Sequence, residues 1–534
     1  MANKTYNQFS TLHTPQTSPV PGENMVKNKA GGYAFLADKW TRLRRFLVLG
    51  SDGGTYYTSA KKLTEENVQV VRECALEDVA KTVEMIVEIS DGGLAPSNDP
   101  ALFALAFVCA VVPQESKGIA YNALPKVART ATHLYDFVSY SQNFRGWGRR
   151  LRKAVASWYV DQDDSNMVYQ LVKYRQRNGW THADILRKCH AVPQTLTQKV
   201  AFKWATGKGY SDDESPSTLA PIRHHEFAKR AKTIDEVVTH IHYGNLPWEA
   251  VPTEWHKHPQ MWEALLEKMP VTALIRNLGR FANLGMTASN MSDTTKYIVD
   301  RLSDLSYLQR GRIHPMKILM ALRVYQAGRG DKGKLTWIPN QRVADALNEA
   351  FYLTFGNVRP TGLKLLVAVD ESGSMRKAVS GAIPMSCYEA GLAMSLVLAR
   401  TEPNVDLIGF DTSVRDLSIS PTSRLDYLLM RGASGGGTDC SLPFAYAMRP
   451  ESVDYDAIVA FSDDESWAGG IHQFQIAASY RQTRNAKLRY VAGQLAATET
   501  SLIRDAPAST LDLEVVGLDT SVPELVRSFL LSEF

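Results

Sequence analysis

Cysteine is scarce in this sequence. Five residues in 534 (Cys74, Cys109, Cys189, Cys387 and Cys440) are too scattered, and odd in number, for a disulfide framework or a thiolate zinc site. A reducing compartment, the cytoplasm, is the expectation. Also missing is any apolar run of the ~18 residues that a membrane span requires, so no membrane association is expected. The first two dozen residues lack the apolar core of a secretory leader. They are rich in Ser, Thr, Asn and Pro and read as a loosely held lead-in, residues 1–30. Strand-like alternation is scarce before residue 360, with Leu47–Leu49 the main exception, and no strict internal period is visible.

What is present is unevenly charged. Residues 363–534 hold 14 Lys plus Arg against 22 Asp plus Glu, a net of −8, while the remainder carries +12 within an overall +4. A basic part of that size suits a polyanionic partner, nucleic acid above all.

Three strings far apart in the acidic part carry the sharpest chemistry. Asp370-Glu371-Ser372-Gly373-Ser374 follows the apolar run Leu363–Val369. Gly436-Gly437-Thr438-Asp439 is a glycine-opened loop, and Phe461-Ser462-Asp463 follows the apolar run Ala457–Ala460. In an open α/β sheet, loops at the carboxyl ends of strands line the binding crevice. Asp370, Ser372, Ser374, Thr438 and Asp463 together offer the oxygen set that a hard divalent cation, Mg²⁺ for preference, accepts. After the boundary Arg359-Pro360-Thr361-Gly362, strands alternate with helices, as in a doubly wound, mainly parallel sheet.

Before that boundary the punctuation is helical. Asp99 is placed to cap the run Ala101–Val112, with Pro100 at the first helical position. Trp262, Leu265, Leu266 and Met269 form one helical face. Val271, Leu274, Ile275 and Leu278 form the next, after the break at Pro270. Helix pairs joined by Pro or Gly turns predict an irregular HEAT-type array.

Three basic and aromatic clusters lie on this array, at 39–45, 145–153 and 173–190. The expected phosphate contacts are Arg42, Arg44 and Arg45; Arg149, Arg150, Arg152 and Lys153; and Arg175, Arg177 and Arg187. Trp147, Trp158 and Trp180 read as packing residues.

The metal strings resemble the metal-ion-dependent adhesion site of von Willebrand factor A domains. There the hydroxyls ligate the ion, and the aspartates act directly or through water. The chain as a whole resembles the Ro ribonucleoprotein autoantigen family, bacterial type, whose helical module is called TROVE. The matching stretches are FLVLGSDGGTYY (46–57), GWGRRLRKAVASWY (146–159), KYRQRNGWTHADILR (173–187), MPVTALIRNLGRF (269–281), RIHPMKILMAL (312–322), GGTDCSLP (436–443) and FSDDESWAGG (461–470). The stretch from about Thr206 to Pro259 matches weakly.

The resemblance implies a helical-repeat ring over 31–361, closed by an A-type domain over 362–534. It implies small noncoding Y RNA on the outer face, with Lys173 and His190 matching contact positions, and single-stranded 3′ ends of misfolded or damaged RNA in a central hole. A 3′ exoribonuclease tethered through Y RNA is the further partner implied. The residues themselves suggest that the metal site captures an acidic side chain from a protein ligand. Three neutral hydroxyls and few carboxylates suit that role better than two-metal hydrolysis, so no catalysis is expected. The alternative is a metal-dependent RNA-processing enzyme using Asp370 and Asp463.

Overall fold

The computed structural model describes residues 14–23, 25–27, 31–36, 39–49, 65–92, 95, 98–209, 216–330, 334–379, 385–463, 466–496, 500–501, 503, 511–517 and 522–531. Much of the 46–57 string, Arg45 beyond its backbone, and Asp464 and Glu465 lie outside the described residues.

The helical part is built as its punctuation predicts. The helix Asp99–Val111 is apolar all round and buried from Pro100 to Cys109, the pattern of a helix enclosed on every side. It packs on Ala131–Phe144. There the Phe103 ring meets Phe46, Tyr140 and Phe144 edge-to-face at 5.2–5.9 Å. Asp99 does not cap it. Asn98 is the capping residue and makes no side-chain cap bond; its amide donates to the Val127 carbonyl and its oxygen accepts from Ser90. Leu47–Leu49 is the last turn of a helix, Lys39–Leu49, and no strand. Leu43, Phe46 and Leu47 repeat at helical spacing and are all buried, so packing on a helical face overrides the local β-propensity of the Leu-Val-Leu run.

Short strands β1 (Met25–Lys27) and β2 (Tyr33–Leu36) precede this series, and a two-residue ribbon, β3 (Gln176–Arg177) with β4 (Trp180–Thr181), interrupts it. Beyond residue 360 come β5 (Lys364–Asp370), β6 (Asn404–Phe410), β7 (Val414–Asp416), β8 (Ala457–Ser462), β9 (Arg489–Gln494), β10 (Thr500–Ser501) and β11 (Asp512–Val516). The main sheet runs β11-β9-β8-β5-β6-β7, parallel except for the antiparallel edge β6–β7. Central β5 is buried on both faces after its first residue, as parallel sheets covered by helices require. Leu365, Val367 and Val369 join a core that continues into the helices from Val237 onward, while Leu366 and Ala368 join a second core on the opposite face. The late helices and the sheet therefore share one apolar interior. It is pinned at its edge by Arg323, whose Nη2 is 2.6 Å from Glu389.

The lead-in is not loose from Thr14 onward. Gln16 is 3 % exposed. Its backbone N–H donates to the Gly469 carbonyl and its carbonyl accepts from Tyr33. His472 Nε2 reaches the Ser18 carbonyl at 2.9 Å. β2 pairs with β10 of the α/β domain and leads into the helix Lys39–Leu49. The helical series thus begins and ends on the same domain. The sequence pattern missed this because the contacts are largely backbone and polar, joining residues more than 400 positions apart.

Candidate metal centre and basic face

Asp370, Ser372, Ser374 and Asp463 lie at the carboxyl ends of β5 and β8, and the loop carrying Thr438 joins them where the Gly373 N–H donates to the Gly436 carbonyl at 3.3 Å. Asp370 ends β5 and is fully buried; Asp463 directly follows β8 and is fully buried too. The backbone N–H of Ser372 donates to Asp370 Oδ1 at 2.8 Å, and the Ser462 hydroxyl donates to Oδ2 at 2.8 Å. Ser372 and Ser374 hold their hydroxyl oxygens 3.1 Å apart, and Thr438 is buried. The double glycine before it is a packing necessity. A Cβ on Gly436 would stand 2.7 Å from Asp411, and one on Gly437 2.5 Å from the Trp467 ring.

Burial first, and the charge of Asp463 second, push the Asp370 carboxyl up to about 7. Two buried carboxylates side by side need compensating positive charge. Part of it comes from Lys377, whose ammonium lies 2.9 Å from Asp463 Oδ2. The donor set of hydroxyls and carboxylates fits a hard divalent cation. Ser372, Ser374, Thr438, Asp370 and Asp463 would hold it, and it would supply an electrophilic centre for an acidic ligand. Among the described residues, no group of three or more His, Cys, Asp or Glu is arranged to hold a metal ion.

A second carboxylate network supports these loops. Arg415 bonds both Asp411 (2.5 Å) and Glu371 (3.1 Å), Ser434 donates to Asp411, and Tyr388 donates to Glu371. Burial works against the charge on Asp411, yet the bonds from Ser434 and Arg415 hold its carboxyl well below the usual range. A cavity of about 310 Å³ opens beside Glu371, Tyr388 and Arg415. Gln16 donates to Asp439 at 3.0 Å, so the loop carrying Thr438 also bears the N-terminal strap. Sequence reasoning missed Lys377, Asp411 and Gln16. Asp411 was discoverable, since it directly follows strand β6; Gln16 carries no sequence signal.

The basic residues divide into two groups. Arg149, Arg150, Arg152 and Lys153 are all exposed on the first turns of the helix Arg149–Val160. Of these, Arg150 also donates to the Gln114 carbonyl, and most of the others have structural duties too. Arg44 is held by Glu88 at 3.1 Å. Arg177 pairs with buried Asp136 at 2.9 Å, Arg187 donates to the Thr206 carbonyl at 2.8 Å, and Arg175 donates to His225 Nε2 at 3.0 Å. Arg42 is half-buried. Lys173 is half-buried between the Tyr169 and Tyr174 rings, 5.1 Å from each. His190 is exposed in a left-handed turn, φ 55°, closing its helix. Trp158 is core, with its indole donating to the Ala128 carbonyl. Trp147 and Trp180 are half-buried beside one another at 6.0 Å, with Lys188 within 6 Å of both.

A helical-repeat module starting and ending on an α/β domain, with a crevice of hydroxyls and carboxylates at the strand ends, defines the class: a helical array joined to a von Willebrand factor A-type domain. The family models agree. One described as the TROVE domain matches residues 26–230 and 245–324, and one described as the Ro60 vWA domain matches 364–530. The chain belongs to the Ro60 family. It is 37% identical over 525 residues to a Deinococcus radiodurans protein named RNA-binding protein RO60, covering 98% of each. A Caenorhabditis elegans protein of the same name is 31% identical over 590 aligned positions, covering 95% of this chain and 90% of that one. The crystal structure of the Deinococcus radiodurans RO (RSR) protein superposes with a TM-score of 0.76 at 37% identity, covering 93% of this chain and all of that one.

Proposed function

We propose that this chain is a cytoplasmic RNA-binding protein acting in RNA quality control, with no catalysis of its own. On this reading, Y RNA lies on the outer face of the helical array, at Lys173, His190 and the arginines near them. Single-stranded 3′ ends of misfolded RNA enter the interior of the array, and a 3′ exoribonuclease is recruited through the Y RNA. The observation that carries the reading is the run Arg149, Arg150, Arg152 and Lys153, four exposed cations on one helix start. Such a surface binds phosphates and favours flexible single strands over a particular sequence. The closed path of the chain, from β2 round to β5, supports an annular arrangement. Membership in a family whose relatives are named for RNA binding supports the ligand class.

The α/β domain, holding Mg²⁺ through Ser372, Ser374, Thr438, Asp370 and Asp463, takes an acidic side chain from a protein partner. RNA recovered by crosslinking and sequencing tests the reading: enrichment of unpaired 3′ tails is expected, and recovery of random fragments contradicts it. Steady Mg²⁺-dependent RNA cleavage that disappears in Asp370→Ala would show an enzyme instead.

A further inference from the structure

The three tryptophans of the basic clusters part company in the structure. Trp158 is core, and its indole is hydrogen-bonded. Trp147 and Trp180 are half-buried, with their rings tilted 58° and centroids 6.0 Å apart. The exposed Lys188 places its ammonium 5.8 and 5.9 Å from the two rings. Trp147 comes from the loop before the helix Arg149–Val160 and Trp180 from β4, so separate elements bring the pair together.

Three details fit simple packing poorly. The Trp147 indole N–H is enclosed yet has no acceptor among the described residues. Enclosed donors are nearly always answered, and a phenylalanine here would carry no such cost. Glycine stands at position 148, although its backbone (φ −95°, ψ 169°) suits any residue and an added Cβ would meet nothing within 4 Å. Gly146 and Gly179 have the same open space around them, so the chain leaves room beside both rings. Finally, Arg149, Arg150 and Arg152 begin a helix, where the macrodipole disfavours cations. Helix stability gives no reason for them, whereas an external anion does.

We propose that Trp147 and Trp180 form a stacking seat for one unpaired nucleobase of a bound single strand. Lys188 and the exposed arginines beside the seat take phosphates of the same strand. The inference rests on the RNA-binding reading above and adds to it a contact with the base itself. Every base has a π face, so such a seat holds flexible strands without reading their sequence. A base inside a duplex keeps its faces stacked on its neighbours. The seat therefore separates unpaired from paired RNA, which phosphate contacts alone do not.

The test compares, by fluorescence anisotropy on the full-length chain, an oligouridylate about ten nucleotides long with an abasic ribose-phosphate strand of the same length. The parent chain should hold the base-bearing strand roughly tenfold more tightly. Trp147→Leu with Trp180→Leu, checked for native circular dichroism, should lose that advantage and keep affinity for the abasic strand within about twofold. Arg149→Glu should weaken both strands alike, which separates the seat from the phosphate contacts. A parent that binds neither strand overturns the RNA-binding reading, and the seat with it. A parent that binds both strands equally, or a folded double variant that keeps the advantage, overturns the seat alone. Crosslinking needs no variant: an oligonucleotide carrying 5-iodouridine, irradiated with the parent, should attach at Trp147 or Trp180 by peptide mass mapping. Attachment only at other residues overturns the proposal.

Discussion

The two regions treat charge in opposite ways. On the helix Arg149–Val160, basic side chains stand in solvent around a buried stripe of Leu151, Val155, Trp158 and Tyr159. In the α/β domain, the acidic groups that matter (Asp370, Glu371, Asp411, Asp439 and Asp463) are drawn into the protein. Outward charge acts at a distance, is screened by salt and tolerates many partners. Inward charge acts only on what enters the crevice, and its chemistry is set by fixed neighbours. One chain thus carries an outward basic surface and an inward acidic crevice, and the two call for different kinds of partner.

Charge reversal on the outward face should have the largest effect. Glutamate at Arg149, Arg150, Arg152 and Lys153 together should weaken binding of single-stranded RNA by roughly 10³-fold at low salt. It should flatten the dependence of log K on log salt by about 0.7 for each phosphate left without its cation. Fluorescence anisotropy over a salt series measures both, and an unchanged slope removes these residues from the interface. Mg²⁺ affinity should not move. The reciprocal experiment, Ser372→Ala with Ser374→Ala, should cost ~10²-fold or more in Mg²⁺ affinity, because two direct oxygen donors are removed. RNA affinity should stay within about twofold, since the basic helix start is untouched. Parallel loss of both affinities would mean that the regions are one functional unit and not two.

The placement of the oxygen-bearing residues was legible in the sequence to the extent that they sit at strand ends. The run Leu363–Val369 predicts a buried strand, and β5 then fixes where Asp370 points. The alternation of strands and helices likewise predicted the sheet. What escaped the reading was held by long-range polar and backbone contacts. Gln16, from the strap, and His472, from the α/β domain, each reach a backbone carbonyl on the other side, an acceptor that any sequence offers. Lys377 reads as an ordinary surface lysine until the fold brings it to Asp463. Arg44 and Arg177 counted as phosphate ligands by composition, yet each has an internal carboxylate partner that no local pattern reveals.

Acid should separate the regions next. Burial lowers His133, His182, His225 and His314, all in the helical part, from 6.5 to about 4. Two of them explain themselves by their partners. Arg175 donates to His225 Nε2, so His225 Nδ1 carries the proton and donates to the Ala250 carbonyl at 2.7 Å. His182 Nδ1 accepts from the Tyr159 hydroxyl at 2.7 Å. Protonation would break either arrangement. Because the folded pKa lies below the unfolded one, the unfolded chain takes up protons first. This contribution is whole above about pH 6.5, declines as pH falls, and is gone below about 4. For the buried pair His182 and His225 it corresponds to roughly 3 kcal/mol each. The α/β domain has one histidine, His472, in the sequence from residue 363 onward, so hydrogen exchange between pH 7 and 4.5 should open the helical region first. Simultaneous opening would show that the shared core around Val367 and Leu319 couples them more tightly than their titrations separate them.

The smallest expected effect tests whether the inward charge is already partly answered. Lys377 places one positive charge on Asp463 at 2.9 Å, and a divalent cation using Asp463 must displace it or share the carboxylate with it. Lys377 is one-third exposed, so solvent softens the competition. Lys377→Met keeps the aliphatic stem and removes the ammonium. Mg²⁺ or Mn²⁺ should then bind roughly tenfold more tightly, about 1.4 kcal/mol, as read by calorimetry or Mn²⁺ spin resonance. RNA affinity should be unchanged, because no cation on the helical face is altered. A fall in metal affinity would give Lys377 the opposite role. It would then orient Asp463 for the ion instead of competing with it, and the contrast between outward basic and inward acidic charge would have to be redrawn around a crevice that builds itself with its own cation.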